Sequence, residues 1–150
     1  MKQDSDLSNP ELAEKYTITL FAKLYERWPT SIPVTAEDIT EVDFDMESLF
    51  FPDAPDIPNE WYVYKDLLNW LEREGYIFGD RSGGDMFTWR ECQLTQKAIE
   101  AMKNLPDPLN SEPKRTLADG ILEAAKDITK KSAHDLIKLG MTSLYQQISG

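Results

Sequence analysis

Near the start of the chain, Leu12, Tyr16, Leu20, Leu24 and Trp28 recur at four-residue steps, with Ile18, Phe21 and Tyr25 widening the stripe. That period lays one apolar face along a helix. Ser8-Asn9-Pro10-Glu11 supplies its start: Asn9 or Ser8 can cap, Pro10 suits the first turn, and Ser8 to Glu11 has capping-box spacing. Pro29 ends it. Ile32-Pro33-Val34 then leaves room for a short extended segment, and Thr35 to Asp38 opens a brief second helix through about Val42. From 43 to 58, Pro52, Pro55 and Pro58 break up the pattern and predict a long connector.

A third helix is predicted from Glu60 to Glu74, capped by Asn59, with Tyr64, Leu67, Leu68 and Leu71 as its core stripe and Gly75 as its stop. Tyr76-Ile77-Phe78 and Met86 to Leu94 read as two strands of a β-hairpin, joined by the turn-forming loop Gly79 to Asp85. Alternation along the second strand puts Met86, Thr88, Arg90, Cys92 and Leu94 on one face, with Cys92 a small half-buried residue. Thr95 caps a fourth helix through Ala98, Ile99 and Met102 to Leu105, stopped by Pro106 and Pro108. The expected class is mainly α with a small hairpin, α+β. Residues 1–106 form the main domain, 107–115 a polar, proline-bearing linker, and 116–150 a helical segment with two amphipathic stripes.

The order helix, short strand, helix, helix, hairpin, helix over residues 9–105 resembles the winged-helix superfamily. Leu67 to Ile77, Leu-Leu-Asn-Trp-Leu-Glu-Arg-Glu-Gly-Tyr-Ile, is similar to the third helix of such domains running into the first wing strand. Cys92 to Ala98, Cys-Gln-Leu-Thr-Gln-Lys-Ala, is similar to the second wing strand entering the next helix, with Ala98 where the family favours glycine. The resemblance implies a third helix for the DNA major groove and a wing for the backbone, which would involve 59–74 and 79–90.

Charge changes that implication. The chain has a formal net charge of −11, and no Lys or Arg lies between Trp28 and Tyr64, where Glu37, Asp38, Glu41, Asp43, Asp45, Glu47, Asp53, Asp56 and Glu60 all fall. In the third helix Lys65 and Arg73 are outnumbered by Glu60, Asp66, Glu72 and Glu74. DNA affinity draws on phosphate neutralisation, so charge disfavours a nucleic-acid partner, although Arg81 and Arg90 soften the objection. The C-terminal segment differs: Lys114, Arg115, Lys126, Lys130, Lys131 and Lys138 exceed the acidic residues between 114 and 138 by two.

The chemistry-bearing residues are few. His134 and Cys92 are single, which removes histidine triads, Cys/His zinc sites and intramolecular disulfides. Asp43-x-Asp45-x-Glu47 alternates suggestively, but Ser48 and Ala54 stand where a calcium loop wants glycine and glutamate. Gly79, Gly83 and Gly84 match no nucleotide fingerprint and read as hairpin-tip residues. No apolar run reaches 18 residues and the N-terminus lacks one. The expectation is a cytoplasmic, non-catalytic protein without metal or cofactor and without a membrane partner.

Binding to a protein is then the leading expectation, in an adaptor, regulator or inhibitor and immunity-type role, with a DNA-binding regulator as the alternative. The aromatic directions on the third helix are too wide for one core, which nominates Trp61, Tyr62 and Trp70 as contacts, with Phe87 and Trp89 on the hairpin. Lys65 and Arg81 add polar contacts, and Glu37, Asp43 and Asp45 face a basic partner. Leu136, Ile137, Leu144 and Ile148 are the residues expected to build a homodimer.

Overall fold

A computed structural model describes residues 6–81 and 85–104. The 107–115 linker, the 116–150 helical segment, His134 and the dimer candidates Leu136, Ile137, Leu144 and Ile148 lie outside the described residues. Helix α1 spans Asn9–Arg27 and starts on a capping box in which Ser8 and Glu11 exchange side-chain and backbone hydrogen bonds. Ser8, not Asn9, is thus the cap. Strand β1 (Ile32–Val34) leads into α2 (Ala36–Thr40), where Thr35 Oγ1 accepts from Asp38 N, as its side chain predicts. The left-handed Glu41 closes this helix one residue earlier than Val42.

Helix α3 (Asn59–Arg73) has Pro58 at its N-cap and no side-chain cap, so the expected role of Asn59 is corrected. The Asn59 amide instead donates to Asn9 Oδ1 at 2.8 Å, tying the first turns of α3 and α1 together. Tyr64, Leu67, Leu68 and Leu71 are all buried, as the stripe predicts. At the other end Gly75 adopts φ +83, Gly75 N donates to Glu72 O and Tyr76 N to Leu71 O, the paired bonds of a Schellman stop. The chain emerges directly into β2 (Ile77–Asp80).

Strand β3 (Trp89–Leu94) is the centre of a three-stranded antiparallel sheet of order β1-β3-β2. Thr95 then caps α4 (Gln96–Asn104): its Oγ1 accepts from Ala98 N and donates to Gly75 O. Among the described residues the architecture is α+β, four helices around a small sheet.

Two hairpin expectations are corrected. Ile32 pairs with Cys92 and Val34 with Trp89, so two steps on β1 oppose three on β3. The extra residue is a β-bulge, which reverses the alternation beyond it. Trp89, Cys92 and Leu94 therefore share the core side, whereas Arg90 is exposed, and Cys92 is fully rather than half buried. The second correction is Gly79, which belongs to β2 opposite Cys92 and not to the turn.

Candidate functional site

The acidic connector is held at its start by the core. Trp61 is only 2% exposed, its indole N–H donates to Val42 O at 2.8 Å, and its ring meets Phe44 and Phe87 edge-on at 5.5 and 5.2 Å. Phe87 in turn is positioned by Asp85, whose Oδ1 accepts from Phe87 N. Trp61, Phe87 and Trp89 are thus core side chains. Their nomination as partner contacts is corrected: the third helix buries more of its arc than its leucine stripe alone, because the connector and the hairpin cover its second side.

Beyond Phe44 the chain turns outward as a 3₁₀ helix, Met46–Phe50. Asp45 caps it, its Oδ1 accepting from Glu47 N at 3.0 Å and its carbonyl accepting from Ser48 N and Oγ. Asp45 is exposed and shapes this turn, Asp43 is exposed just before it, and Glu37 sits half-buried in the first turn of α2. The turn carries Phe50, 88% exposed, and Phe51, 68% exposed. The other large exposed apolar residues among those described, including Leu49, Phe78 and Met86, are each more covered than either. Asp45, Glu47, Asp53 and Asp56 surround the pair in sequence and are all exposed.

The other candidates lie on the outer side of α3. Tyr62 is 41% exposed, with Lys65 Nζ 5.3 Å from its ring centroid, and Lys65 also approaches Asp66 at 3.6 Å. Trp70 is partly buried against the core. Tyr62 and Trp70 share a groove of about 550 Å³ with Val63, Leu67 and the α1 residues Pro10 and Ala13. Arg81 reaches back from the hairpin: its guanidinium lies 4.7 Å over the Trp89 ring, bridges to Glu72 Oε1 at 3.1 Å, and donates to Asn69 Oδ1. Its charge is spent within the fold. The sequence-nominated residues therefore divide into a buried set, a groove set and an acidic-turn set.

No family model matches the chain, and no curated protein or solved structure matches it. Among the described residues, no helix is long and apolar enough to cross a membrane, and no three carboxylate, thiol or imidazole groups are placed to hold a metal ion.

Phe50 and Phe51, the most exposed aromatic residues among those described, are not among the contacts nominated from the sequence. The signal was present: a three-residue apolar run with carboxylates and prolines on both sides has no periodic apolar neighbours to carry it into a core.

Cys92 illustrates how burial sets chemistry. Burial first, and the Glu72 carboxylate second, push its thiol up from an ordinary 9.0 to about 12. Burial likewise raises the Tyr64 phenol above its ordinary range. The native thiol is expected to resist alkylation at about pH 8 and to react once urea unfolds the chain, as mass measurement along the unfolding curve would report. Because folding raises this pKa, the associated stability is complete below pH 9.0 and is lost as pH climbs toward about 12. Cys92→Ala should flatten that alkaline decline. Equal slopes for the two proteins in urea titrations would contradict it.

Proposed function

We propose that this protein is a non-catalytic binding module that offers Phe50 and Phe51, framed by carboxylates, to a basic surface on another protein. One observation carries the reading: two consecutive phenylalanines stand in solvent on a capped turn within a stretch that contains no Lys or Arg. Leaving such rings exposed has no advantage for folding, whereas aromatic anchors with an apolar pocket to enter dominate many interfaces. The flanking Asp43, Asp45, Glu47, Asp53 and Asp56 would steer and orient a basic partner, in the manner of an inhibitor or immunity-type protein.

The scaffold fits a diverged winged helix, since α1, β1, α2, α3, hairpin and α4 follow one another in the order of that superfamily. DNA binding through α3 and the hairpin has less in its favour. Exposed Asp66 and half-buried Glu72 offset Lys65 and Arg73, and Arg81 is already engaged by Glu72 and Trp89.

Capture from extract at moderate salt, with the full chain as bait and with nuclease treatment in parallel, tests the proposal. The retained protein should survive nuclease and weaken as salt rises. Phe50→Ala with Phe51→Ala should reduce its retention by about 30-fold or more, the scale of a hot-spot pair, with thermal unfolding unchanged. Undiminished retention by the double variant, or loss of the captured material on nuclease treatment, would sink the reading.

A further inference from the structure

The groove between α1 and α3 is built from parts that an amphipathic helix would complete. One wall is Pro10 and Ala13, the other Tyr62, Val63, Leu67 and Trp70. The Asn9–Asn59 hydrogen bond crosses one end, and Asp66 supplies a carboxylate at the edge. Its volume of about 550 Å³ lies in the range of pockets that enclose a ligand or several side chains. On α3 it runs from Asn59 to Trp70, about 18 Å at 1.5 Å per residue.

We propose that residues 116–131 of the same chain dock in this groove as a helix. Three features of the sequence match it. First, wound at 100° per residue, Leu117, Ala118, Ile121, Leu122, Ala125 and Ile128 fall within one apolar arc of about 140°. Leu117 to Ile128 also extends about 18 Å, and the two alanines on that arc permit close approach to the α1 wall.

Second, the charges lie where the edge of the groove needs them. Lys126 and Lys131 flank the apolar arc on opposite sides, while Asp119, Glu123 and Asp127 project from the far face. A helix seated by its apolar arc brings a lysine toward Asp66 and turns its carboxylates to solvent. The whole formal charge of −11 resides in residues 1–104, and residues 105–150 carry equal numbers of acidic and basic side chains. The segment is thus the less acidic part of the chain meeting the more acidic part.

Third, the connection is long enough. Lys103 Nζ lies 6.0 Å from the Trp28 ring, which puts the end of α4 beside the far end of α1. The groove lies about 28 Å back along that 19-residue helix. The dozen residues from Asn104 to Thr116 span up to about 40 Å when extended. Phe50 and Phe51 do not line the groove, so this docking is independent of their use as anchors.

Carbodiimide cross-linking of the full chain tests the docking, using an equimolar mixture of natural-isotope and nitrogen-15 protein. An amide between Asp66 and Lys126 or Lys131 is expected, with both linked peptides carrying the same isotope. Ile121→Asp in the segment, and separately Ala13→Trp in the groove, should each lower its yield about tenfold while leaving the far-ultraviolet circular dichroism of the main domain in place. Absence of the cross-link overturns the proposal, and so does persistence at full yield in both variants. Linked peptides of mixed isotope overturn it too, and would assign the groove to a second copy. Retention of a partner through Phe50 and Phe51 is measured separately, so either idea can fail alone.

Discussion

Gly79→Ala is expected to cost about 3 kcal/mol of folding stability, an amount set by close backbone contact and the ladder bonds it breaks. A β-carbon at this position would lie 1.8 Å from the Glu91 carbonyl oxygen, 2.7 Å from its carbon and 2.9 Å from Cys92 Cα. All three are backbone atoms, so no rotamer change relieves the clash. β2 and β3 must instead separate around the Gly79–Cys92 pair, within a hairpin of four registered pairs. That opening would also loosen Arg81, which follows β2 and holds Asn69 and Glu72. Gly75→Ala is the control, because its β-carbon would meet only Lys97 Cδ at 3.9 Å, leaving the positive φ as the source of strain. It should cost about 1 kcal/mol. Urea unfolding followed by circular dichroism measures both, and equal costs would show that β2 does not approach β3 as closely as the structure has it.

These glycines also mark where the sequence is legible. Gly75 was readable as a helix stop because its cause is local: a leucine stripe ends and a residue free to adopt positive φ follows. Thr35 and Thr95 were readable as caps for the same reason, each accepting from a backbone N–H three residues on, while the local pattern leaves the first helix's cap open between Ser8 and Asn9. Gly79 was misplaced into the turn because its need for a missing β-carbon comes from Glu91, twelve residues away. The face reversal in β3 has a similar origin, since the bulge exists only relative to β1, and β1 is nearly sixty residues distant in sequence. Asn59 shows the competition plainly. Its type suits a cap, yet a partner fifty residues away, Asn9, takes its amide.

The candidate site divides along the same line. Asp43 and Asp45 could be placed in a solvated acidic segment, since charge density and proline decide that without knowledge of the fold. Which aromatics that segment would cover could not be decided so. Trp61 has the hydrogen-bonding edge and broad ring of an interface residue, but those properties are spent on Val42, Phe44 and Phe87. Val42 and Phe44 at the connector's start engage Trp61, whereas Phe50 and Phe51 further along it stay exposed.

Trp89 carries the other large prediction. It is 1% exposed and heads the bulkiest fully buried side chains, so Trp89→Ala should cost about 3–5 kcal/mol through lost apolar burial and the cavity left behind. A small domain commonly has about 5–15 kcal/mol in total, and the variant should therefore unfold tens of degrees earlier or fail to accumulate. The ring also supports Arg81 from 4.7 Å, and that part is separable. Arg81→Ala alone removes the stacked cation and a half-exposed bridge to Glu72, and should cost about 1 kcal/mol. With Trp89→Phe in place of the alanine variant to keep the protein folded, a double-mutant cycle should give a coupling of about 0.5 kcal/mol or more. Strict additivity would mean that the guanidinium does not stack. The same pair decides how Trp89 bears on binding. As a core residue it affects a partner only through the folded fraction, so Trp89→Phe, once corrected for that fraction by its own unfolding curve, should retain the partner at wild-type strength. Weakened retention by fully folded Trp89→Phe would return the indole to the interface, against its burial in the core.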